Sequence, residues 1–230
     1  MEESKFFKWV WRFNGVVIAL ASALAVILMV YFSYKIYSDI TRVRTTGNVV
    51  NIEQSTPVQQ NWRLGHMSEV KGSTYVVIPL NSEQSYDRSY FSKSASSIRN
   101  YLFIDTQSEH KAWLFEHNKF LITSRVTISA GQYASSDKPV LAYLYEVVKS
   151  DTNRDGHLTN ADLNTVALSK PDGSGYTEVL TDIDALLGNT LTQHNTILII
   201  FQRSGTGYTA TIDLDSFAVI HESALPKVGL

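Results

Sequence analysis

The stretch DTNRDGHLTNAD, from Asp151 to Asp162, puts three aspartates, two asparagines and one glycine into twelve residues, the densest set of oxygen donors in the chain. Carboxylate and amide oxygens at such density suit a hard divalent cation, which collects about six to eight oxygen ligands. The competing reading is a polar turn between two strands, because Asp, Asn and Gly form tight turns without any ion. Ordered spacing favours the cation: acceptor side chains recur at alternate positions, and glycine stands where the chain must turn sharply.

Set against the calcium loop of EF-hand proteins, the segment is similar position by position. The resemblance implies Asp151, Asn153 and Asp155 as side-chain ligands and Gly156 at the turn. It also implies His157 as a ligand through its backbone carbonyl, Thr159 directly or through water, and Asp162 as the closing ligand. The EF-hand pattern closes on glutamate. The aspartate here resembles dockerin-like loops instead, and a single loop closed by the shorter acid implies calcium binding with a Kd on the order of 10⁻⁵ to 10⁻³ M. The expected role of Ca²⁺ is structural, holding together carboxylates that repel one another. The flanks are ambiguous: VLAYLYEVVKS before the loop reads as a strand but also fits a helical face, and TNADLNTVAL after it reads as a short exit helix with Thr159 as N-cap.

Catalytic patterns are missing from the sequence. It has no G-x-S-x-G elbow, no phosphate-cradling G-x4-G-K-[ST] loop and no H-E-x-x-H pair. The histidines at 66, 110, 117, 157, 194 and 221 are dispersed, and His110 and His117 lack metal-ligand spacing. The pairs Asp182/Asp184 and Asp213/Asp215 are spaced to share one face of a strand, so a hydrolase acting on glycans or peptides is the alternative to a non-catalytic protein.

From Asn14 to Tyr34 the chain reads NGVVIALASALAVILMVYFSY, twenty-one residues without a charge. As a helix this reaches about 30 Å, the thickness of a bilayer's hydrocarbon core. Phe6, Phe7, Trp9, Trp11 and Phe13 precede it and Tyr31, Phe32, Tyr34 and Tyr37 end it, as aromatic belts do. The small residues in ALASALA also suit a signal peptidase, but cleavage there would leave the apolar VILMVYF as a new terminus, so an uncleaved single-pass anchor is expected. Lys5, Lys8 and Arg12 balance Lys35, Arg42 and Arg44, so the positive-inside count is a tie. The short tail and large C-terminal body favour an inner-membrane protein with its body outside the cytoplasm, in the periplasm. Gly15, Ala19 and Ala23, with Ala21 and Ala25, offer small faces at helical spacing for an integral membrane partner such as a transporter.

The expected organisation is a tail (1–13), a transmembrane helix (14–37), a juxtamembrane linker (38–73) and an all-β domain (74–230). Runs such as TYVVIPL, NYLFID, KFLITSRVTI, VLAYLYEVV, TILIIFQR and GYTATIDL are rich in β-branched and aromatic residues and bounded by Gly, Asn, Asp and Ser. The serine-rich stretch from Asn81 to Ser97 reads as a surface loop. Three strand–turn–strand units begin near Asn100, Val140 and Thr196, about 40 and 56 residues apart. Within the second, SKPDGSGYTEVL resembles the propeller repeats of Tol-type periplasmic proteins, which implies a propeller-like domain; an antiparallel sandwich is the other all-β form. Residues 1–44 carry 6 Lys/Arg and 3 Asp/Glu, whereas residues 45–230 carry 14 and 19. A mildly acidic body gives no basis for nucleic-acid binding, and a chain without cysteine has neither disulfides nor thiol chemistry. The function this supports is a membrane-anchored, calcium-binding accessory subunit of an envelope complex, touching lipid through its helix.

Overall fold

The computed structural model describes residues 5–40, 50–51, 60–84, 95–131 and 138–226. Two compact units are present, Met1–Arg44 and Thr45–Leu230. The first is one helix, α1 (Lys5–Ile40). Within its stretch Trp9–Tyr34, the most apolar 18 residues have a mean hydropathy of 2.6 and none of them is buried.

The second unit is mainly β. Its strands are β1 (Val50–Asn51), β2 (Gln60–Leu64), β3 (Ser68–Glu69), β4 (Tyr75–Gln84), β5 (Ala95–Asp105), β6 (Lys111–Trp113), β7 (Leu121–Ser129) and β8 (Val140–Val148). They continue with β9 (His157–Leu158), β10 (Asn164–Ser169), β11 (Thr177–Ile183), β12 (Ala185–Leu191), β13 (Thr196–Arg203), β14 (Thr206–Asp213) and β15 (Val219–Ala224). All pairings are antiparallel. Three four-stranded meanders follow in chain order: β2-β4-β5-β6, then β7-β8-β10-β11, then β12-β13-β14-β15. The first two are joined by one pair, Ile98 with Ile122, into a nine-stranded sheet in which β3 prolongs the β2 edge. The repeat unit therefore starts at 60, 121 and 185, and KFLITSRVTI, which the sequence groups with the first unit, opens the second.

The meanders pack through two cores, and β8 belongs to both. Ala142 and Leu144 join Val166, Leu168, Leu180 and Ile183 against Ile197, Ile199, Phe201, Ala210 and Ile212 of the third meander. Tyr143, Tyr145 and Val147, on the opposite face, join Tyr101, Phe103, Val77 and Phe115 of the first. A strand buried on both faces shows no polar alternation, which is why VLAYLYEVV reads equally as strand or helix; the fixed period of two in its partners identifies the strand.

Several expectations are corrected. No exit helix follows the acidic loop. Thr159 does start a turn, with its Oγ1 accepting from the Ala161 N–H at 3.1 Å and its carbonyl from the Asp162 N–H at 3.2 Å. The chain then enters β10, whose Val166 and Leu168 are fully buried between β8 and β11, so tertiary burial overrides the local cap. The helix runs beyond both ends of 14–37. The stretch 38–73 carries β1, β2 and β3, and the ends of the serine-rich stretch, Asn81–Gln84 and Ala95–Ser97, are paired strand. Residues 85–94, like 41–49 and 52–59, lie outside the described residues.

Candidate metal-binding loop

The loop between β8 and β10 is organised by its own acceptors. The Asp155 N–H lies within hydrogen-bonding distance of Asp151 Oδ1 (3.2 Å) and Asn153 Oδ1 (2.9 Å). Gly156 N–H donates to Asp151 Oδ2 at 2.8 Å and His157 N–H to Asp155 Oδ1 at 2.9 Å. Successive Asx turns thus draw the acceptors at 151, 153 and 155 around one bend. Positive φ at Arg154 (62°) and Gly156 (80°) makes the bend possible. Asp162 closes the loop from within: it is buried, and its Oδ1 accepts from the N–H groups of Thr152 (2.7 Å) and Asn153 (3.2 Å) and from Thr152 Oγ1 (3.2 Å). Its Oδ2 accepts from the Thr159 N–H at 2.9 Å.

Beyond the bend, β9 pairs with β1, Val50 opposite Leu158 and Asn51 opposite His157. Leu158 packs on Leu121 and Val148, so it anchors the loop to the body. His157 Nδ1 is buried without a hydrogen-bond partner, and Thr159 is buried in its turn. Among the described residues no three His, Asp or Glu side chains converge as a metal cluster. Asp151, Asn153 and Asp155 are oxygen donors of the type a cation uses, and their acceptors, like the Asp162 carboxylate, are taken up by backbone N–H groups. A cation bound here would have to replace at least one of those N–H groups.

The paired aspartates build turns. Asp213 Oδ1 accepts from Asp215 N–H, Ser216 N–H and Ser216 Oγ, and the Ser216 hydroxyl, then its N–H, holds the Asp213 pKa below the usual carboxylate value. Asp215 Oδ1 accepts from Asn195 Nδ2 and Asp184 Oδ2 from the Gly205 N–H, both at 2.8 Å. His117 is packed rather than displayed: its ring stacks on Phe115 and meets Phe120 edge-on at 4.5 Å.

A buried polar centre escaped the sequence reading. Arg99, 4% exposed, donates through Nε and Nη2 to the carbonyls of Asn118 and Lys119. Burial pushes its pKa down to about 10. Its neighbour Asn100 donates to the Phe115 carbonyl and Asn118 Oδ1 and accepts from the Phe115 N–H. Residues 99 and 100 both reach the 115–119 loop because β5 has an irregularity there, Ile98 pairing with Asn81 and Asn100 with Leu80, which breaks the usual alternation of faces. The available signal was a polar Arg-Asn pair interrupting the apolar run SIRNYLFI. Nearby, the Arg125 guanidinium lies 4.5 Å above the Tyr101 ring and 4.8 Å above Tyr143.

No protein-family model matches the chain, and no curated protein is similar to it. Among solved structures, the chain is similar to the β-propeller domain of the Trilobed protease from Pyrococcus furiosus, with 11% identity and a TM-score of 0.40 over 75% of this chain. It spans 45% of that structure's length.

Proposed function

We propose that this protein is a single-pass, membrane-anchored accessory subunit whose β domain lies outside the cytoplasm, carries a structural calcium loop and docks on an integral membrane partner such as a transporter. One observation carries the reading. An 18-residue stretch of α1 within Trp9–Tyr34 is strongly apolar and none of it is buried; an exposed helix of that composition is stable where lipid replaces water. Gly15 has open space where a Cβ would stand, in keeping with close approach of a second helix along the Gly15/Ala19/Ala23 face.

The calcium assignment rests on the acceptors gathered at 151, 153 and 155 around the positive-φ bend. Asp151, Asn153 and Asp155 would hold the ion, with the His157 carbonyl, Thr159 and Asp162 completing it. The ion would screen the Asp151 and Asp155 carboxylates from each other and stiffen the connection from β8 to β10. Weak affinity would leave such a site filled outside cells and empty in cytosol.

The test is calcium titration of the full chain in detergent, by calorimetry and thermal melting, beside the Asp151→Asn/Asp155→Asn variant. Binding with a Kd on the order of 10⁻⁵ to 10⁻³ M and a calcium-dependent rise in Tm, both lost in the variant, are expected. Absence of binding at several times that range sinks the calcium assignment. For the anchor, alkaline carbonate should leave the chain in the membrane fraction; release would refute it. For the partner, Ala19→Leu/Ala23→Leu should abolish copurification of any stoichiometric membrane protein, and an unchanged complex would reject the helix face as its contact.

A further inference from the structure

The acidic loop grips another part of the chain. Its strand β9, His157 and Leu158, pairs with β1 in a two-stranded sheet of their own. β1 lies between the end of α1 at Ile40 and the start of β2 at Gln60, so the loop holds the connection that joins the apolar helix to the β body.

The loop's hydrogen bonds decide which way β9 faces. Successive residues of an extended strand turn their backbone polar groups to opposite sides, and the N–H and C=O of one residue share a side. The His157 N–H donates to Asp155 Oδ1 and the Thr159 N–H to Asp162 Oδ2, both at 2.9 Å, so 157 and 159 look into the loop. Leu158 between them presents its N–H and carbonyl to the other side, where Val50 is its partner in register. Its side chain, buried against Leu121 and Val148, fixes the strand to the body. Two residues of pairing make a weak contact, and a weak contact responds to small differences in free energy. The His157 carbonyl is on the inward side, where the EF-hand resemblance puts the seventh ligand. An ion that holds this carbonyl also holds Leu158 toward β1.

We propose that the loop is a calcium-operated clasp on the connection from α1: an ion at Asp151, Asn153 and Asp155 closes β9 on β1, and its loss lets β1 go. The clasp rests on the calcium assignment above, and its test separates the two. Closure changes the length of chain in play. From Ile40 the backbone can span at most about 35 Å to a clasped Val50, against about 70 Å to Gln60, so calcium sets the reach of a body anchored through α1.

Asn51 stands opposite His157 in the register. With Leu158 as the hydrogen-bonded position, this is the closer kind of pair, with Cα atoms about 4.5 Å apart, which is within disulfide range. The chain has no cysteine, so Asn51→Cys/His157→Cys introduces two thiols that meet only when the clasp is shut, and it keeps the backbone carbonyl at 157. The full-length variant in detergent is oxidised with diamide for a fixed time in calcium or in chelator, and calcium binding to its reduced and crosslinked forms and to the wild type is measured by calorimetry. Crosslinking should be about tenfold faster with calcium, and the crosslinked form should bind calcium more tightly than the reduced one, because coupling is reciprocal. Adding Asp151→Asn/Asp155→Asn should remove both effects. Val50→Pro, which lacks the N–H that Leu158 can accept, should weaken calcium binding by a similar factor without any cysteine present. Calcium binding with crosslinking unchanged or slower overturns the clasp and leaves the calcium assignment standing, as does an unchanged affinity in Val50→Pro. If the wild type binds no calcium, the assignment itself fails and the clasp with it.

Discussion

Asn100 holds a loop that has no regular structure of its own. Its amide satisfies both the N–H and the carbonyl of Phe115, so Asn100→Ala would leave two buried backbone groups unpaired. A loss of about 2–4 kcal/mol in denaturant-derived stability is expected. Gly173, at φ +81°, lies where a Cβ would stand 2.3 Å from the Phe103 ring. Gly173→Ala should therefore cost about 3 kcal/mol, read as a drop in midpoint, because it combines backbone strain with overpacking of a buried ring. Asp105 sets an acid response. Its pKa falls to about 2, first through the Ser108 hydroxyl, then Thr74 and the Gln107 N–H. A depressed carboxylate stabilises the fold above its ordinary unfolded pKa and loses that contribution as pH falls toward 2. Asp105→Asn should accordingly flatten the decline in Tm on acidification below pH 4, and a parallel decline would show that the turn does not depend on this charge.

At the scale of elements, β8 is the strand on which the domain depends. Leu144 is fully buried in one core and Tyr143 and Tyr145 in the other. Leu144→Ala should cost about 3 kcal/mol. The acidic loop separates two roles at neighbouring positions. Asp162 receives three backbone N–H groups, so Asp162→Ala should lower the Tm whether or not calcium is present. Asp151→Asn/Asp155→Asn keeps one of the two oxygen acceptors at each position and gives up the other, which at 151 receives the Asp155 or the Gly156 N–H, so it should lower the Tm a little without calcium and remove the calcium-dependent part. Equal behaviour of the two variants would mean that all three side chains serve the turn alone.

For the whole molecule, the sharing of β8 between cores makes the β domain one cooperative body despite its three meanders. Phe103→Ala, in the core beside the first meander, and Phe201→Ala, in the core beside the third, should lower the same single transition. Two separable transitions would show the meanders to be independent. The helix belongs to a separate compact unit and has its own criterion, retention in lipid.

The sequence by itself determined the apolar helix, the all-β character of the body, the turn-forming acidic loop and nearly every long strand, because charge-free length, β-branched runs and Asx spacing are local properties. It did not determine where strands join into units. That follows from pairings such as Ile98 with Ile122, which no local pattern announces, and from burial of β8 on both faces, which erases the polar alternation that marks an ordinary strand. Burial of Val166 and Leu168 likewise turned an expected helix into β10. The Arg99–Asn100 centre and the pairing of β1 with β9 were decided by tertiary structure alone: in sequence they are a polar interruption and two short segments far apart in the chain, and only the folded body buries the first and brings the second together.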